Sequence, residues 1–142
     1  MSADAQILHG LCSKMHEITQ GRKTAVFCAT IAQAEATAAC LENYLPAGVR
    51  VICQKTDRED RKNYLRWFAE TERGYMVSVD ALCEGWDDPG IQHVAICRPT
   101  KSRPRYCQMV GRGTRPLLEC VQDIDTAEER RSNIAASGKP YL

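Results

Sequence analysis

The chain has 142 residues, of which 44% are hydrophobic and 26% charged, and its formal net charge is +1. This length favours one domain that buries about two-thirds of the surface of the unfolded chain, and the composition excludes a largely disordered protein. Apolar runs are far shorter than the roughly 20 residues of a membrane helix, and no signal peptide opens the chain, so we expect a cytoplasmic protein without membrane contact.

The first predicted elements are a helix, a strand and a second helix. Apolar residues recur at three- and four-residue steps over residues 3–19, which predicts an amphipathic helix. The apolar run 24–29 has no polar alternation, as is typical of a strand covered on both faces of a parallel sheet. Thr30 suits a helix N-cap, and the alanine-rich segment 33–45 predicts the helix that follows.

The same alternation continues to residue 111. The pattern predicts strands at 49–53, 75–79 and 93–97, and helices at 57–70 and 103–111. Repeated strand–helix–strand units imply right-handed crossovers and parallel strands. We therefore predict an α/β fold of three layers, in which helices cover both faces of a parallel sheet.

The loops after the strands are the expected place for function, because ligands of open parallel sheets bind beyond the carboxyl ends of the strands. In this chain these are the loops after residues 29, 53, 80 and 98. They hold the segments Ala29-Thr30-Ile31, Gln54-Lys55-Thr56 and Glu84-Gly85-Trp86-Asp87, followed by residues 99–105. We expect all four segments to line one edge of the sheet.

The segment 98–115 is strongly basic. It contains six basic residues and no acidic one. Within it, Gln108, Arg112 and Arg115 stand at i, i+4 and i+7, which places them on one stripe if the segment is helical. Two guanidinium groups from one helix end match phosphate oxygens with paired donors, and this predicts a clamp for a multiply charged phosphate. The simpler alternative is a solvated face of surface ion pairs.

Three segments carry a resemblance to a known family. The segment QMVGRGTR (108–115) resembles motif six of superfamily-two helicases, SVDALCEGWD (78–87) resembles motif five, and AVFCAT (25–30) resembles motif four. They occur in the family's order, and the similarity runs over residues 21–116, closest to the phage- and restriction-type DEAD/DEAH helicases. The resemblance identifies residues 1–142 as a single second RecA-like domain, which we expect to be excised from a longer protein.

The resemblance also implies roles for individual residues. Arg112 and Arg115 match the arginine fingers that reach the γ-phosphate of ATP, and Gln108 matches the residue that orients their helix. Gly85 and Asp87 match positions that approach the ribose and the phosphate–water network. For Asp87 and its successors, Asp88-Pro89-Gly90, a simple tight turn is the alternative. The ATP itself, with magnesium, would be held mainly by a first RecA-like domain.

A nucleic-acid strand is expected to cross the same loop edge. Backbone amides at the helix start near Thr30, and the side chains of Lys55 and Thr56, would contact its phosphates, with DNA expected rather than RNA. The chain departs from the DEAD-box pattern at Val79, where a phosphate-contacting Thr is usual, and at Gln54, where Gly is common. Solvated loop side chains are the alternative for Lys55 and Thr56.

A complete motor also needs a phosphate-cradling loop and an acidic metal-binding motif, and the sequence contains neither. We therefore expect no ATP hydrolysis by the isolated domain. A stand-alone nucleic-acid-binding or regulatory module with a helicase-like fold remains the alternative function. Relatives usually continue into one more hydrophobic strand, whereas this chain stops at residues 139–142. We therefore expect the sheet to lack an edge strand and to self-associate weakly through unpaired backbone groups.

No metal site is predicted. The eight cysteines include no CxxC pair, and we interpret them as small buried hydrophobic residues. The histidines, His9, His16 and His93, have no carboxylate or thiolate partner at ligand spacing, so we expect satisfied or solvent-facing rings.

Overall fold

The computed structural model describes residues 3–79, 88, 90–97, 103, 107, 110 and 126–136. Its elements are α1 (Ala3–Thr19), β1 (Thr24–Cys28), α2 (Ile31–Glu42), β2 (Val49–Ile52), α3 (Arg58–Glu70), β3 (Tyr75–Ser78), β4 (His93–Cys97) and α4 (Ala127–Ala136). Arg103, Cys107 and Val110, the described residues of the predicted helix 103–111, are also helical. None of the helices in this part of the chain is both long and apolar enough to cross a membrane.

The strands form one parallel sheet in the order β2-β3-β1-β4. All three pairings are parallel, with Val26 opposite Val77 on β3 and opposite Ala95 on β4. The predicted parallel α/β sheet is therefore confirmed. We call the edge where the strands begin the amino edge, and the edge where they end the carboxyl edge.

The second helix is shorter than predicted at its carboxyl end. It ends at Glu42, not at residue 45, because the amides of Asn43 and Tyr44 bond to carbonyls three residues back, Cys40 and Leu41. Such bonds tighten the last turn of a helix and stop its regular propagation.

Alternate residues of the central strand β1 face different layers of helices. Val26 and Cys28 pack with buried residues of α1 and α2, whereas Ala25 and Phe27 pack with the buried Phe68 of α3. Each large side chain buried in this way stabilises the fold by about 1.5–3 kcal/mol. The three predicted layers are present in the described residues.

A buried ion pair lies at the amino edge of the sheet. Lys23, just before β1, is 7% exposed, and its Nζ lies 2.8 Å from Asp88 Oδ2 and 5.0 Å from the centre of the Phe68 ring. The backbone carbonyl of Lys23 also accepts hydrogen bonds from the amides of Gln92 and His93. Asp88 therefore lies at the amino edge.

A second buried polar group at the amino edge is the Tyr75 hydroxyl. It lies 2.7 Å from Thr19 Oγ1 and 2.9 Å from His16 Nδ1, both near the end of α1. Burial raises the pKa of the Tyr75 phenol. These bonds tie α1 to the start of β3.

The cysteine prediction is confirmed only in part. Cys12 and Cys28 are buried, but Cys107 is exposed, and the prediction is wrong there. The others in the described residues, Cys40, Cys53 and Cys97, are half-buried, and every described cysteine is a free thiol.

The histidine prediction is confirmed for His16 and wrong for His93. The Nε2 atom of His93 is buried and has no hydrogen-bond partner among the residues that the structure describes. The reason is its place at the start of β4, where the strand pairs with β1 and lies close to α1. Burial, with a smaller contribution from the charge of Arg22, lowers the pKa of His93 below its ordinary 6.5.

Candidate functional site

Thr30 starts α2 at the carboxyl edge, directly after β1. Its extended backbone (φ −132°, ψ 158°) and its side chain form the N-cap, since Thr30 Oγ1 accepts from the Gln33 amide at 3.1 Å. The residue is exposed, as is Ala29 before it. The predicted N-cap is confirmed, and the amino-terminal end of this helix carries the partial positive charge that favours anions.

Gln33 links two strand ends at this edge, and this role was not among the predictions from the sequence. Its Oε1 accepts from the Ala29 amide at 2.8 Å, and its Nε2 donates to the Cys97 carbonyl at 2.7 Å. One side chain therefore joins the ends of β1 and β4. The signal was available in Thr30-Ile31-Ala32-Gln33, because a Thr followed three residues later by Gln is the pattern of a capping box.

The loop after β2 is a tight turn that presents Lys55. The Thr56 hydroxyl accepts from the Cys53 amide at 3.0 Å, while the Thr56 amide donates to the Cys53 carbonyl at 3.1 Å. Lys55 is exposed beside this turn, and Asp57 caps α3 by accepting from the Glu59 amide. The local bonds account for Thr56 as a turn residue, so Lys55 is the better placed of the two to contact a ligand.

Thr30 and Lys55 lie at the same edge of the sheet, as predicted. Because β1 and β2 flank β3, the two loops are separated by two strand spacings, or about 10 Å. At about 3.4 Å of rise per nucleotide, this distance corresponds to roughly three nucleotides of a strand. The geometry permits contacts to separate phosphates of one bound strand.

The residues with predicted nucleotide roles lie outside the described residues. These are Gly85, Asp87, Gln108, Arg112 and Arg115. Their neighbour Asp88 is described, and it lies at the amino edge against Lys23, opposite the edge that bears Thr30. The Asp88 carboxylate also accepts from the Gly90 amide at 2.8 Å, and this local bond supports the turn interpretation for Asp88 and Gly90.

The described residues contain no group of three or more His, Cys, Asp or Glu side chains that could hold a metal ion. The side chains predicted to contact the nucleotide have a different chemistry from metal ligands. Two arginines and a glutamine match phosphate oxygens, and one aspartate matches ribose hydroxyls. The sequence therefore predicts contacts to the nucleotide from this domain and no ligands for the magnesium ion.

Comparison with known proteins places the chain in a family. Residues 5–116 match the family model described as "Helicase conserved C-terminal domain". Over 64 residues the chain is 36% identical to IRC3, a candidate ATP-dependent helicase of Saccharomyces cerevisiae, covering 45% of this chain and 9% of that protein. Over 131 residues it is 35% identical to the type I restriction enzyme EcoKI endonuclease subunit of Escherichia coli, covering 78% of this chain and 11% of that subunit.

A solved structure agrees in fold. A fragment of a candidate HsdR subunit of a type I restriction enzyme from Vibrio vulnificus superposes with a TM-score of 0.69 at 22% identity, covering 81% of this chain and 26% of that one. The chain spans only about a tenth of the length of the two relatives named above. The family match extends over most of the chain and includes all three segments that carry the predicted resemblance. The chain therefore belongs to the helicase conserved C-terminal domain family.

Proposed function

We propose that this chain is the second motor domain of an ATP-dependent nucleic-acid helicase or translocase. The observation that carries the proposal is the family match over residues 5–116, which contains QMVGRGTR on the segment after β4. The name of one relative, a candidate ATP-dependent helicase, supports the same class. Residues 1–142 would act as a single domain joined to a first RecA-like domain.

The catalytic contribution assigned to this domain is charge stabilisation. Arg112 and Arg115 would act as arginine fingers on the γ-phosphate, because a guanidinium stays charged and offers paired donors to the transferring group. Gln108 would orient their helix, while Gly85 and Asp87 would approach the ribose and the phosphate–water network. ATP and magnesium would be bound mainly by the first domain, so the isolated chain would not hydrolyse ATP.

The finger assignment is tested in a fusion of this chain to a cognate first domain. DNA-stimulated ATP turnover is measured for the wild type, Arg112→Ala, Arg115→Ala and Arg131→Ala. We expect each finger variant to lose about 10³-fold or more in rate, as arginine fingers do in related phosphoryl transfer. Arg131 is exposed on α4, outside the family match, and its replacement should leave the turnover unchanged.

The same experiment separates the two candidate functions. Turnover that is unchanged in both finger variants would reject the assignment. Salt-dependent nucleic-acid binding that persists without any ATP turnover in the fusion would favour a stand-alone binding or regulatory module.

The carboxyl edge is the proposed nucleic-acid surface. Thr30 and its helix start would contact one phosphate, and Lys55 another about 10 Å away, with Thr56 near the second. The restriction-enzyme relative supports DNA over RNA. Affinities of the chain for single-stranded DNA and RNA of one length and sequence test this preference, and equal affinity at every salt concentration would reject it.

Weak self-association through β4 is proposed as well. This strand ends the sheet in the described part of the chain, and all five of its residues are half-buried. The unpaired N–H and C=O groups of an edge strand can pair with another strand. Light scattering at rising concentration should show a growing mean mass, and a strict monomer at high concentration would reject the proposal.

A further inference from the structure

Two cysteines are direct neighbours across the central pairing of the sheet. Cys28 ends β1, Cys97 ends β4, and the parallel register places them opposite each other. Neighbouring strands are about 4.8 Å apart, which falls inside the range of about 4.4–6.8 Å between the Cα atoms of disulfide-bonded cysteines. The backbone therefore permits a bond between these two sulfurs without moving either strand far.

The two thiols affect each other's acidity. The neighbouring Cys28 side chain lowers the pKa of Cys97, while the Cys97 side chain and burial raise the pKa of Cys28. Both side chains lie on the α1 and α2 side of the sheet, in the same hydrophobic cluster. Cys97 is therefore the thiol that is held closer to its thiolate form, and the thiolate is the reactive form of cysteine.

Access to solvent also differs between them. Cys28 is fully buried, whereas Cys97 is half-buried at one end of a groove of about 270 Å³. Leu11, Met15 and Ile18 of α1 form one wall of this groove, and β4 forms the other. A small polar oxidant could reach Cys97 through the groove but could not reach Cys28 directly.

We propose that Cys28 and Cys97 form a reversible dithiol–disulfide site that reacts with hydroperoxides. The Cys97 thiolate attacks one peroxide oxygen, which breaks the O–O bond and, with one proton, gives a sulfenic acid and water. The Cys28 thiol then attacks the sulfenic sulfur, which forms the S–S bond and releases a second water. Two thiols and one hydrogen peroxide thus become one disulfide and two waters, and a dithiol reductant reverses the step.

Neighbouring cysteines do not fit the same role. Cys12 lies in the same cluster, but it belongs to α1, whereas Cys28 is the residue opposite Cys97 in the strand register. Cys107 is exposed, and Cys53 lies at the end of β2, two strands away from β1. Reaction in the proposed site starts at Cys97 and is completed by Cys28.

The test uses the intact chain and stoichiometric hydrogen peroxide. Mass spectrometry should show a loss of about 2 Da per intact chain, alkylation should then modify two fewer thiols than in the reduced chain, and dithiothreitol should restore both thiols. Peptide mapping of the unmutated chain should identify a Cys28–Cys97 link. A link that joins Cys97 to Cys12 or Cys83, or no intramolecular link at all, would overturn the proposal.

Variants assign the order of the two steps. Cys97→Ser should form no disulfide, while Cys28→Ser should stop at a sulfenic acid that dimedone traps on Cys97. Cys53→Ser, a matched half-buried control, should behave as the wild type. Disulfide formation that persists in Cys28→Ser would overturn the proposal, and the map of the wild type keeps the test valid if a variant fails to fold.

Discussion

The two edges of the sheet differ in how deeply their polar residues are buried. At the amino edge, Lys23, Gly74 and Tyr75 are buried, and polar side chains bond to one another. At the carboxyl edge, Thr30 and Lys55 are exposed, and Gln33 joins the ends of β1 and β4. The first edge holds the layers together, and the second presents loops to solvent.

This difference shows why function and stability separate in a parallel α/β domain. Loops at the carboxyl ends of the strands can vary in chemistry because the opposite edge and the core hold the scaffold rigid. Substitutions at the amino edge should therefore reduce stability strongly, and substitutions at the carboxyl edge should change binding with small effects on stability.

The largest expected effect comes from breaking the buried ion pair. Asp88→Ala should lower the free energy of unfolding by about 3–5 kcal/mol, because it leaves the Lys23 ammonium buried without its carboxylate. Urea unfolding measures the loss. The double variant Lys23→Met/Asp88→Leu should lose less, since it removes both charges.

An exposed ion pair provides the control for this prediction. Lys14 and Glu17 lie 3.2 Å apart, but both side chains are about two-thirds exposed. Lys14→Ala should change stability by less than about 1 kcal/mol. A loss in Asp88→Ala as small as that in Lys14→Ala would contradict the structural role given to the amino edge.

The Tyr75 hydroxyl should have the next largest effect. Tyr75→Phe removes the bonds to Thr19 and His16 and leaves the buried Thr19 hydroxyl with fewer partners. We expect a loss of about 1–2 kcal/mol in the free energy of unfolding, measured in urea. An unchanged unfolding midpoint would mean that the hydroxyl network does not stabilise this edge.

At the carboxyl edge, loss of the Thr30 cap should cost less. Thr30→Ala removes the bond to the Gln33 amide and should lower stability by about 1 kcal/mol, while Thr30→Ser should retain most of it. Thermal unfolding of the three proteins compares them. If Ser destabilises as much as Ala, the cap assignment is wrong.

The smallest effect is expected from the titration of His93. Its pKa is lowered in the folded chain, so the unfolded chain binds a proton first as the pH falls below about 6.5. Stability should therefore be complete at neutral pH and decline with acidity until the pH passes the folded-state pKa. The decline should be shallower in His93→Gln, and identical pH profiles of the urea midpoint would contradict the assignment.

The fold was largely predictable from periodicity. Apolar runs that lack polar alternation, such as residues 24–29, indicated strands covered on both faces, and the observed sheet is parallel with helices on each side. Strand order and the end of α2 were not predictable to the residue, because pairing and terminal turns depend on distant partners and on backbone bonds such as those to Leu41.

The parts of the site that could be predicted are those that depend on residues close together in the sequence. Thr30 follows from N-cap chemistry, and the family follows from the three motif segments. The Lys23–Asp88 pair joins residues 65 positions apart in the sequence. Cys28 and Cys97 are neighbours only because of the register of the sheet. No local sequence pattern predicts either pair. Long-range pairing is the information that the sequence analysis lacked.

The proposal that the carboxyl edge binds nucleic acid is tested most directly by the salt dependence of that binding. Fluorescence anisotropy of labelled single-stranded DNA is measured against salt for the wild type, Lys55→Ala and Lys14→Ala. Lys55→Ala should weaken binding and reduce the slope of log affinity against log salt by about 0.7, the value for one lost phosphate contact, while Lys14→Ala should match the wild type. If Lys14→Ala reduces the slope as much as Lys55→Ala, or if Lys55→Ala leaves it unchanged, the strand does not bind across the loops that follow β1 and β2.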